Sequence, residues 1–456
     1  MSYISHINKY ASSQAIQDAV NNGTLANPYV AINDDTGLLD WNMKVKFDVD
    51  ADDMEFPGSG GTSAITITAS QDWTITLPAW LSASTLSGNS SQEVTVSATT
   101  TQQAHEGTIS VSAATTSVTI NVEQAEPVID YSTMYFTVEM LEAGSFMNNK
   151  WLVYSINGGE WIDPEGAYEE IENLNQGDTI RFKTPENGLY DGLGDAFANN
   201  TTAAFNVYGN IMSLICGDTF ANATDAGNNT FEYLFENSSA LNSAEHLVLP
   251  ATTLAEGCYS SMFAYCTSLT SAPSILPATI LTDGCYDSMF YGCTNLTTAP
   301  SLPATTLADT CYSGMFGDCT NLTTAPELPA TTLADSCYRY MFCGCTSLTT
   351  APELPATTLA ESCYMNMFDG CYGIETAPVL PALTLEVSCY NCMFFDCVNL
   401  MNVTCLATDI SATSCLSDWL EAVSFVGTLH KNPLATSIWL PGTNIPDEWT
   451  VQDYSA

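Results

Sequence analysis

Basic residues are scarce in this chain. It has 8 lysine and arginine residues against 51 aspartate and glutamate residues, and its formal net charge is −43 over 456 residues. Proteins that bind nucleic acids neutralise phosphates with lysine and arginine, so the composition argues against a nucleic-acid partner. Anionic membrane surfaces attract basic segments for the same reason, so no membrane partner is expected either.

Long apolar runs are also missing. The first ten residues, MSYISHINKY, hold no signal-peptide core, and no stretch approaches the roughly 20 apolar residues of a membrane helix. We therefore expect the chain to be made and folded in a cytoplasm. Hydrophobic residues still make up 46% of the sequence, and this excludes a typical acidic disordered protein, which has too few of them to form a core.

Histidine is rare, and no catalytic motif is visible. His6, His105, His246 and His430 lie in no recognisable nucleophile, metal or acid–base pattern. The sequence therefore predicts a protein that is not an enzyme and needs no cofactor. A glycosidase-type carboxylate pair is not excluded, because carboxylates are abundant throughout the chain.

One acidic run is a weak calcium candidate. Carboxylates of Asp48, Asp50, Asp52 and Asp53 could supply the hard oxygen ligands that Ca²⁺ prefers. The run lacks the spacing and the final glutamate of an EF-hand loop, so a solvated linker is the favoured interpretation. No other metal site is predicted.

Cysteine, in contrast, is abundant and periodic. All but one of the 17 cysteines lie between Cys258 and Cys415. Twelve of them occupy the two cysteine positions of a repeat with the consensus LPATTLAxxCYxxMFxxCTxLTTAPx, whose first cysteines are Cys258, Cys285, Cys311, Cys337, Cys363 and Cys389. The first cysteines are 27 residues apart once and then 26 residues apart, and a period of this size predicts a solenoid of stacked coils. A degenerate coil precedes these repeats and fits the same frame.

The pattern inside each repeat predicts one short helix and one extended leg. On a helical wheel the constant Leu, Ala, Tyr, Met, Phe and second Cys fall within one half, and the variable positions fall on the other. The two prolines then favour an extended return leg, the segment LTTAPxLP that leads to the next coil. We interpret the repeat cysteines as small buried core residues, although a ladder of disulfides remains open. Cys343 and Cys392 occupy outward positions and are the thiols expected to react.

The rest of the chain divides by composition. Residues 43–126 alternate apolar and polar positions between turn residues, which predicts an all-β sandwich. Residues 127–222 predict a small β domain, the repeats run over 223–405, and 406–456 predict a C-terminal cap. Residues 1–42 predict a short segment that packs on a partner, with these candidate anchor residues: Tyr3, Ile4, Ile7, Tyr10 and Tyr29.

Candidate binding residues lie on the outward side of the repeats. In the sandwich, Trp73 and Trp80 are the only aromatic residues between 57 and 126, and both are assigned to the core, so this domain is interpreted as a spacer. The repeats place larger side chains at variable, outward positions: Tyr265, Tyr291, Arg339, Tyr340 and Met365. A binding face would vary from coil to coil in this way, and a neutral solvent face would vary as well.

Two parts of the chain resemble known modules. Residues 43–126 resemble a BACON domain, a module of gut Bacteroidetes proteins and their phages, through these segments: Trp73, Pro78-Ala-Trp80-Leu81, Leu86-Ser-Gly88, Gly107-Thr-Ile109 and Val122-Glu-Gln124. His105 lies where that family often has arginine. The repeats resemble BspA-like leucine-rich repeats through Phe263-x-x-Cys266-x-x-Leu269 and its later copies, although the coil is a few residues longer. The resemblance implies all-β sandwich domains followed by a leucine-rich-repeat α/β solenoid of about seven coils with a C-terminal cap.

The order of the modules resembles virion surface proteins of crAss-like phages. The N-terminal segment and the Phe-Asn-Val-Tyr-Gly-Asn stretch at 205–210 add to the likeness. It implies a head fibre or decoration protein on the virion surface, with tail attachment left open. Residues 1–42 would anchor it to capsid or tail proteins, and it would be a homotrimer that adheres to host or mucosal glycans or proteins. The alternative is a Bacteroidetes cell-surface adhesin or a carbohydrate-binding accessory protein.

Overall fold

The structure is a computed structural model that divides into two compact units, Met1–Ile129 and Asp130–Ala456. It describes residues 47–56, 61–99, 105–114, 116–124, 130–166, 168–186 and 193–455, together with the backbone of 31–32 and 39–40. The predicted anchor residues Tyr3, Ile4, Ile7, Tyr10 and Tyr29 lie outside the described residues.

The first unit is built from strands. Strands β1 and β2 pair with each other, β4-β11-β10-β6-β8 form one sheet, and β3-β5-β9-β7 form another. The strands are β1 (Ala31–Ile32), β2 (Leu39–Asp40), β3 (Phe47–Asp50), β4 (Met54–Phe56), β5 (Gly61–Ala69), β6 (Trp73–Thr76), β7 (Leu81–Ala83), β8 (Ser87–Gly88), β9 (Gln92–Ala98), β10 (His105–Ala113) and β11 (Thr116–Gln124).

Alternation along these strands builds a shared core. Ile65 and Ile67 of one sheet and Ile109 and Val111 of the other are fully buried, as period-two patterning requires. Trp73 is 1% exposed, and its Nε1 donates to the Ser90 carbonyl oxygen at 3.0 Å. The Trp73 side chain is therefore a core element and not an exposed platform for a ligand.

The second unit begins with a mixed sheet. Its strand order is β14-β16-β12-β17-β18, and β13 pairs with β15 alongside. The elements are β12 (Thr137–Met140), β13 (Gly144–Asn148), β14 (Val153–Ile156), β15 (Glu169–Leu174), β16 (Thr179–Lys183), β17 (Phe205–Asn210), α1 (Ser213–Cys216), 3-10 helices Tyr131–Thr133 and Gly217–Asn222, and β18 (Leu241–Val248). No helix among the described residues is long and apolar enough to cross a bilayer. β18 pairs in parallel with β17, so the sheet continues directly into the repeats.

In the repeats the chain forms successive turns. We call the stack of these turn segments the turn ribbon; its segments are 229–238, 257–266, 284–293, 310–319, 336–345, 362–371, 388–397 and 414–423. Alternate amides bond within the coil and to the next coil. Ser260 donates to the Gly257 carbonyl oxygen at 3.0 Å, whereas Ser261 donates to the Asp287 carbonyl oxygen of the next coil at 2.8 Å.

Every fourth residue of the turn ribbon has a left-handed backbone. In the second segment these are Gly257, Ser261 and Tyr265, with φ of 59°, 50° and 58°, and the same three positions are left-handed in every segment. A left-handed residue interrupts an α-helix, because helices of L-residues need φ near −63° throughout. The repeats therefore contain no helix, although every residue from 223 to 405 is described.

The predicted fold class was wrong on this point. An α/β solenoid with a helix in each coil is replaced by turns and short parallel bridges, such as Thr298 to Thr324 on the return legs. The buried positions of a coil follow a period of four: Cys285 and Tyr286, Met289 and Phe290, then Cys293. Over so few residues, positions spaced four apart still fall on one half of a helical wheel drawn with 3.6 residues per turn. The wheel therefore could not distinguish the four-residue period of these turns from the period of an α-helix.

The far end of the second unit regains regular strands. β19 (Thr376–Leu380), β20 (Asn402–Cys405), β21 (Gly427–Lys431) and β22 (Trp449–Asp453) form a parallel sheet in chain order. Trp439 packs on Trp419 of the last turn segment, with the two ring centroids 5.8 Å apart. One continuous core runs from Phe136 to Trp449.

Candidate binding face

Two columns of aromatic rings hold the coils in register. From Phe235 to Phe394 the phenylalanine rings stack with centroids 5.1 to 5.8 Å apart. From Tyr259 to Tyr390 the tyrosine rings stack at 5.7 to 6.0 Å. All these rings are buried, so the turn ribbon is a rigid support for the side chains on its outer side.

The cysteines form two further buried columns of free thiols. In the second column each Sγ donates to the phenylalanine carbonyl oxygen of an earlier coil, as Cys319 does to Phe290 at 3.1 Å. Burial raises the pKa of the Cys258 and Cys285 thiols to about 12. These thiols are protonated core groups, so they are not candidates for a nucleophile or a metal site.

The outward tyrosines lie on neighbouring coils. Tyr265 is 47% exposed, and its ring meets that of the half-buried Tyr291 edge-on at 5.5 Å. A hydrogen bond to Asp318, with some burial, raises the pKa of the Tyr291 hydroxyl. The pair presents one exposed ring supported by a second ring that a carboxylate holds in place.

Arg339 is the only cationic side chain on the turn ribbon. Its guanidinium lies 4.9 Å from the centre of the Tyr340 ring, a cation–π geometry. Its Nε is buried and has no hydrogen-bond partner among the described residues. Met365 follows on the next coil and is half-buried. Arg339 and Tyr340 therefore offer a planar cation and a ring at the surface, with donor capacity still free.

Carboxylates on the same side lie in partly buried settings. Burial raises the pKa of Asp287, although hydrogen bonds from Ser313 and Ser288 oppose the shift. Burial also raises the pKa of Asp369, again opposed by a hydrogen bond from Asn366. Hydroxyl and amide donors thus hold these two carboxylates in fixed positions.

The two outward thiols share these surroundings. Burial, with a contribution from nearby Asp369 and Asp318, raises the pKa of Cys343 to about 12. Burial and the charge of Asp418 also raise the pKa of Cys392. Both thiols are half-buried, so they are more accessible than the thiol columns but are poor nucleophiles at neutral pH.

The five predicted binding residues thus lie along one side of the turn ribbon. We call this surface the ribbon face and define it by Tyr265, Tyr291, Arg339, Tyr340, Met365, Asp287 and Asp369. Tyr265 with Tyr291 and Arg339 with Tyr340 are in contact. Such a surface can stack on rings and exchange hydrogen bonds, but it holds no paired general acid and base.

The weak calcium candidate does not converge on one point. Asp48 and Asp50 are exposed on β3, and Asp52 is exposed in the following loop. Asp53 accepts hydrogen bonds from the Asn121 backbone amide at 3.0 Å and from its Nδ2 at 3.1 Å. Within the described part of the chain no cluster of three or more potential ligand side chains forms a metal site.

One cluster was missed by the sequence reasoning. The Trp161 ring lies 4.5 Å from Lys183 Nζ and 5.2 Å from the Arg181 guanidinium carbon. Asp218 accepts hydrogen bonds from Lys183 at 2.7 Å and from the Tyr135 hydroxyl at 2.8 Å. The signal was present, since residues two apart on a strand share a face. Lys183 pairs with Asp218 and Arg181 donates to the Ser155 hydroxyl at 2.9 Å, so we assign the cluster to the stability of this sheet.

No family model matches the chain, and no curated protein matches it. Among solved structures it is similar to a Bacteroides ovatus GH5 xyloglucanase in complex with a XXXG heptasaccharide, at 21% identity and a TM-score of 0.17. The match covers 26% of this chain and 30% of that chain. A likeness at this level establishes neither a shared fold nor an activity.

Proposed function

We propose that the protein is a non-enzymatic binding protein whose ribbon face is its contact surface. The observation that supports this is the contrast between constant buried columns and changing outward side chains on one rigid backbone. Tyrosine and arginine are the residues most often found at the energetic centres of interfaces. A rigid support also lowers the ordering cost of binding, because little backbone freedom remains to be lost.

We further propose that the protein belongs to the surface of a phage virion. The support is the likeness of its module order to virion surface proteins of crAss-like phages. In this proposal residues 1–42 attach the chain to capsid or tail proteins as a homotrimer, and the ribbon face adheres to host or mucosal glycans or proteins. The second candidate is a Bacteroidetes cell-surface adhesin or carbohydrate-binding accessory protein, which would use the same face.

A paired substitution tests the binding role. Replacing Arg339 with alanine and Tyr340 with serine removes the cation and the ring without touching the buried columns. Binding of the full chain to Bacteroidetes cells and to mucin is expected to weaken at least about thirtyfold, as at a binding hot spot. Glu327→Gln with Glu353→Gln, two exposed return-leg changes, is the control and should bind like the parent. Equal binding by both double variants would refute the proposed contact surface.

Mass spectrometry of gradient-purified phage particles tests the virion role. The protein should be present at tens of copies or more, and it should vanish from particles when residues 1–42 are deleted. Its absence from particles, with recovery on host membranes instead, would replace the virion proposal with the cell-surface adhesin.

A further inference from the structure

The hydrogen-bond ladder of the turn ribbon has a direction. In every coil, amides at alternate positions donate to carbonyl oxygens of the following coil. At the last junction between coils, the Tyr390 amide donates to the Cys415 carbonyl oxygen at 3.0 Å, and the Phe394 amide donates to the Trp419 carbonyl oxygen at 3.0 Å. One end of the stack therefore presents carbonyl oxygens, and the other presents N–H groups.

The N–H end is open. In the last segment, the amides at the donating positions have no backbone carbonyl partner among the described residues; they belong to Ser414, Leu416, Asp418, Leu420 and Ala422. At the carbonyl end one position is covered, because the Phe197 amide donates to the Leu234 carbonyl oxygen at 2.9 Å and its ring stacks on Phe235 at 5.5 Å. The open N–H edge therefore belongs to the last coil.

A cavity of about 450 Å³ lies against this open edge. Residues 416, 418, 420 and 422 line one side of it, and residues 442–448 line the other. The C-terminal segment contacts the last coil through side chains, since Trp419 Nε1 donates to the Asn444 carbonyl oxygen at 2.6 Å and the Trp419 and Trp439 rings pack at 5.8 Å. There is therefore room beside the free amides for a further length of chain.

The lining selects the chemistry of the occupant. Free N–H groups require hydrogen-bond acceptors. An anionic acceptor is disfavoured, because no Lys, Arg or His lines the cavity and four carboxylates do: Asp418, Glu421, Asp447 and Glu448. Phe425 is 77% exposed and Val426 57% exposed beside the cavity, and they offer apolar contact. An extended peptide with cationic side chains fits this lining: its neutral backbone carbonyls accept from the N–H groups, its charges pair with the carboxylates, and its aliphatic stems contact the apolar residues.

We propose that the open edge is a docking site for a lysine-rich segment of another polypeptide, which adds one more rung to the ladder. Unpaired edges of this kind are templates for strand addition. A second copy of this chain is a poor occupant, because each copy carries a net charge of −43 and Phe197 already bonds the Leu234 carbonyl oxygen of the complementary edge. This site is separate from the ribbon face, so the proposal does not depend on the function proposed above.

Hydrogen exchange of the full chain tests the proposal. The probe is an octapeptide of four Lys-Thr pairs, acetylated and amidated, and the matched control peptide has four Glu-Thr pairs. The Lys-Thr peptide is expected to slow exchange of the free amides in 414–422 about tenfold, because each gains an acceptor. The Glu-Thr peptide should leave exchange unchanged.

Two variants separate docking at the edge from general attraction to an acidic protein. Asp418→Asn with Glu421→Gln should weaken binding of the Lys-Thr peptide about tenfold, the effect of two surface charges. Glu327→Gln with Glu353→Gln removes the same charge elsewhere and should have no effect. The proposal is overturned if protection is absent, spreads over all acidic surfaces, or responds equally to both variants. It is also overturned if concentration alone protects 414–422, because a second copy would then be the occupant.

Discussion

Two adjacent serines give a sharp test of the turn ribbon. Ser261 has a left-handed backbone with φ of 50°, and its neighbour Ser260 does not. A non-glycine residue in this region costs about 1–2 kcal/mol, whereas glycine adopts it freely but loses about 0.5–1 kcal/mol through chain entropy. Ser261→Gly should therefore be neutral or stabilising by up to about 1.5 kcal/mol. Ser260→Gly should destabilise by about 0.5–1 kcal/mol.

The measurement is chemical denaturation of the full chain, with the free energy of unfolding taken from the transition of the second unit. Ser260→Ala and Ser261→Ala are controls for loss of the hydroxyl groups. The turn ribbon predicts a gap of about 1–2 kcal/mol between the two glycine variants. In an α-helix both would lose a similar amount, about 0.5 kcal/mol. Two equal losses would refute the turn assignment.

Three further outcomes follow from the packing and the charges. Phe316→Ala removes a ring stacked between two others at 5.7 and 5.8 Å, and calorimetry should show a loss of about 3–5 kcal/mol. Asp287→Asn should stabilise the protein at pH 7, because the raised pKa marks a charge that is costly when folded. That gain in stability should shrink as pH falls and be lost below about pH 3.9, where the carboxyl is protonated in both the folded and the unfolded state. A gain that stays constant with pH would contradict this reasoning, and so would an equal gain in stability from Asp283→Asn at an exposed position. Iodoacetamide should modify Cys343 and Cys392 before the buried thiols, at rates that rise steeply between pH 7 and 9, and uniform labelling would contradict the burial of the columns.

Much of the burial in the repeats could be predicted from the sequence. The constant Cys, Tyr, Met and Phe positions are the buried ones, because the core must accept the same side chain in every coil. The predicted backbone conformation, a helix in each coil, was wrong, because burial alone cannot distinguish a period of four residues from the 3.6 residues of an α-helix. The missed signal lay in glycines at the left-handed positions: Gly257, Gly284, Gly292, Gly314, Gly344 and Gly370. Glycine is disfavoured inside a helix but suits left-handed turns.

The contacts of the ribbon face were less predictable. Arg339 and Tyr340 are sequence neighbours, so their stacking could have been anticipated. The hydrogen bond between Tyr291 and Asp318 joins different coils and depends on the register between them. That register follows from the inter-coil amide ladder, and a helical interpretation does not provide that ladder.

Mapping a bound surface glycan onto the full chain tests the ribbon face most directly. Polysaccharide extracted from Bacteroidetes cells would be added to the protein, and amide hydrogen exchange would be compared with and without it. We predict protection confined to the outward segments 260–265, 287–292 and 339–344. Protection over the return legs or over the strands at 61–124, with none in the turn ribbon, would contradict the assignment of the ribbon face as the contact surface.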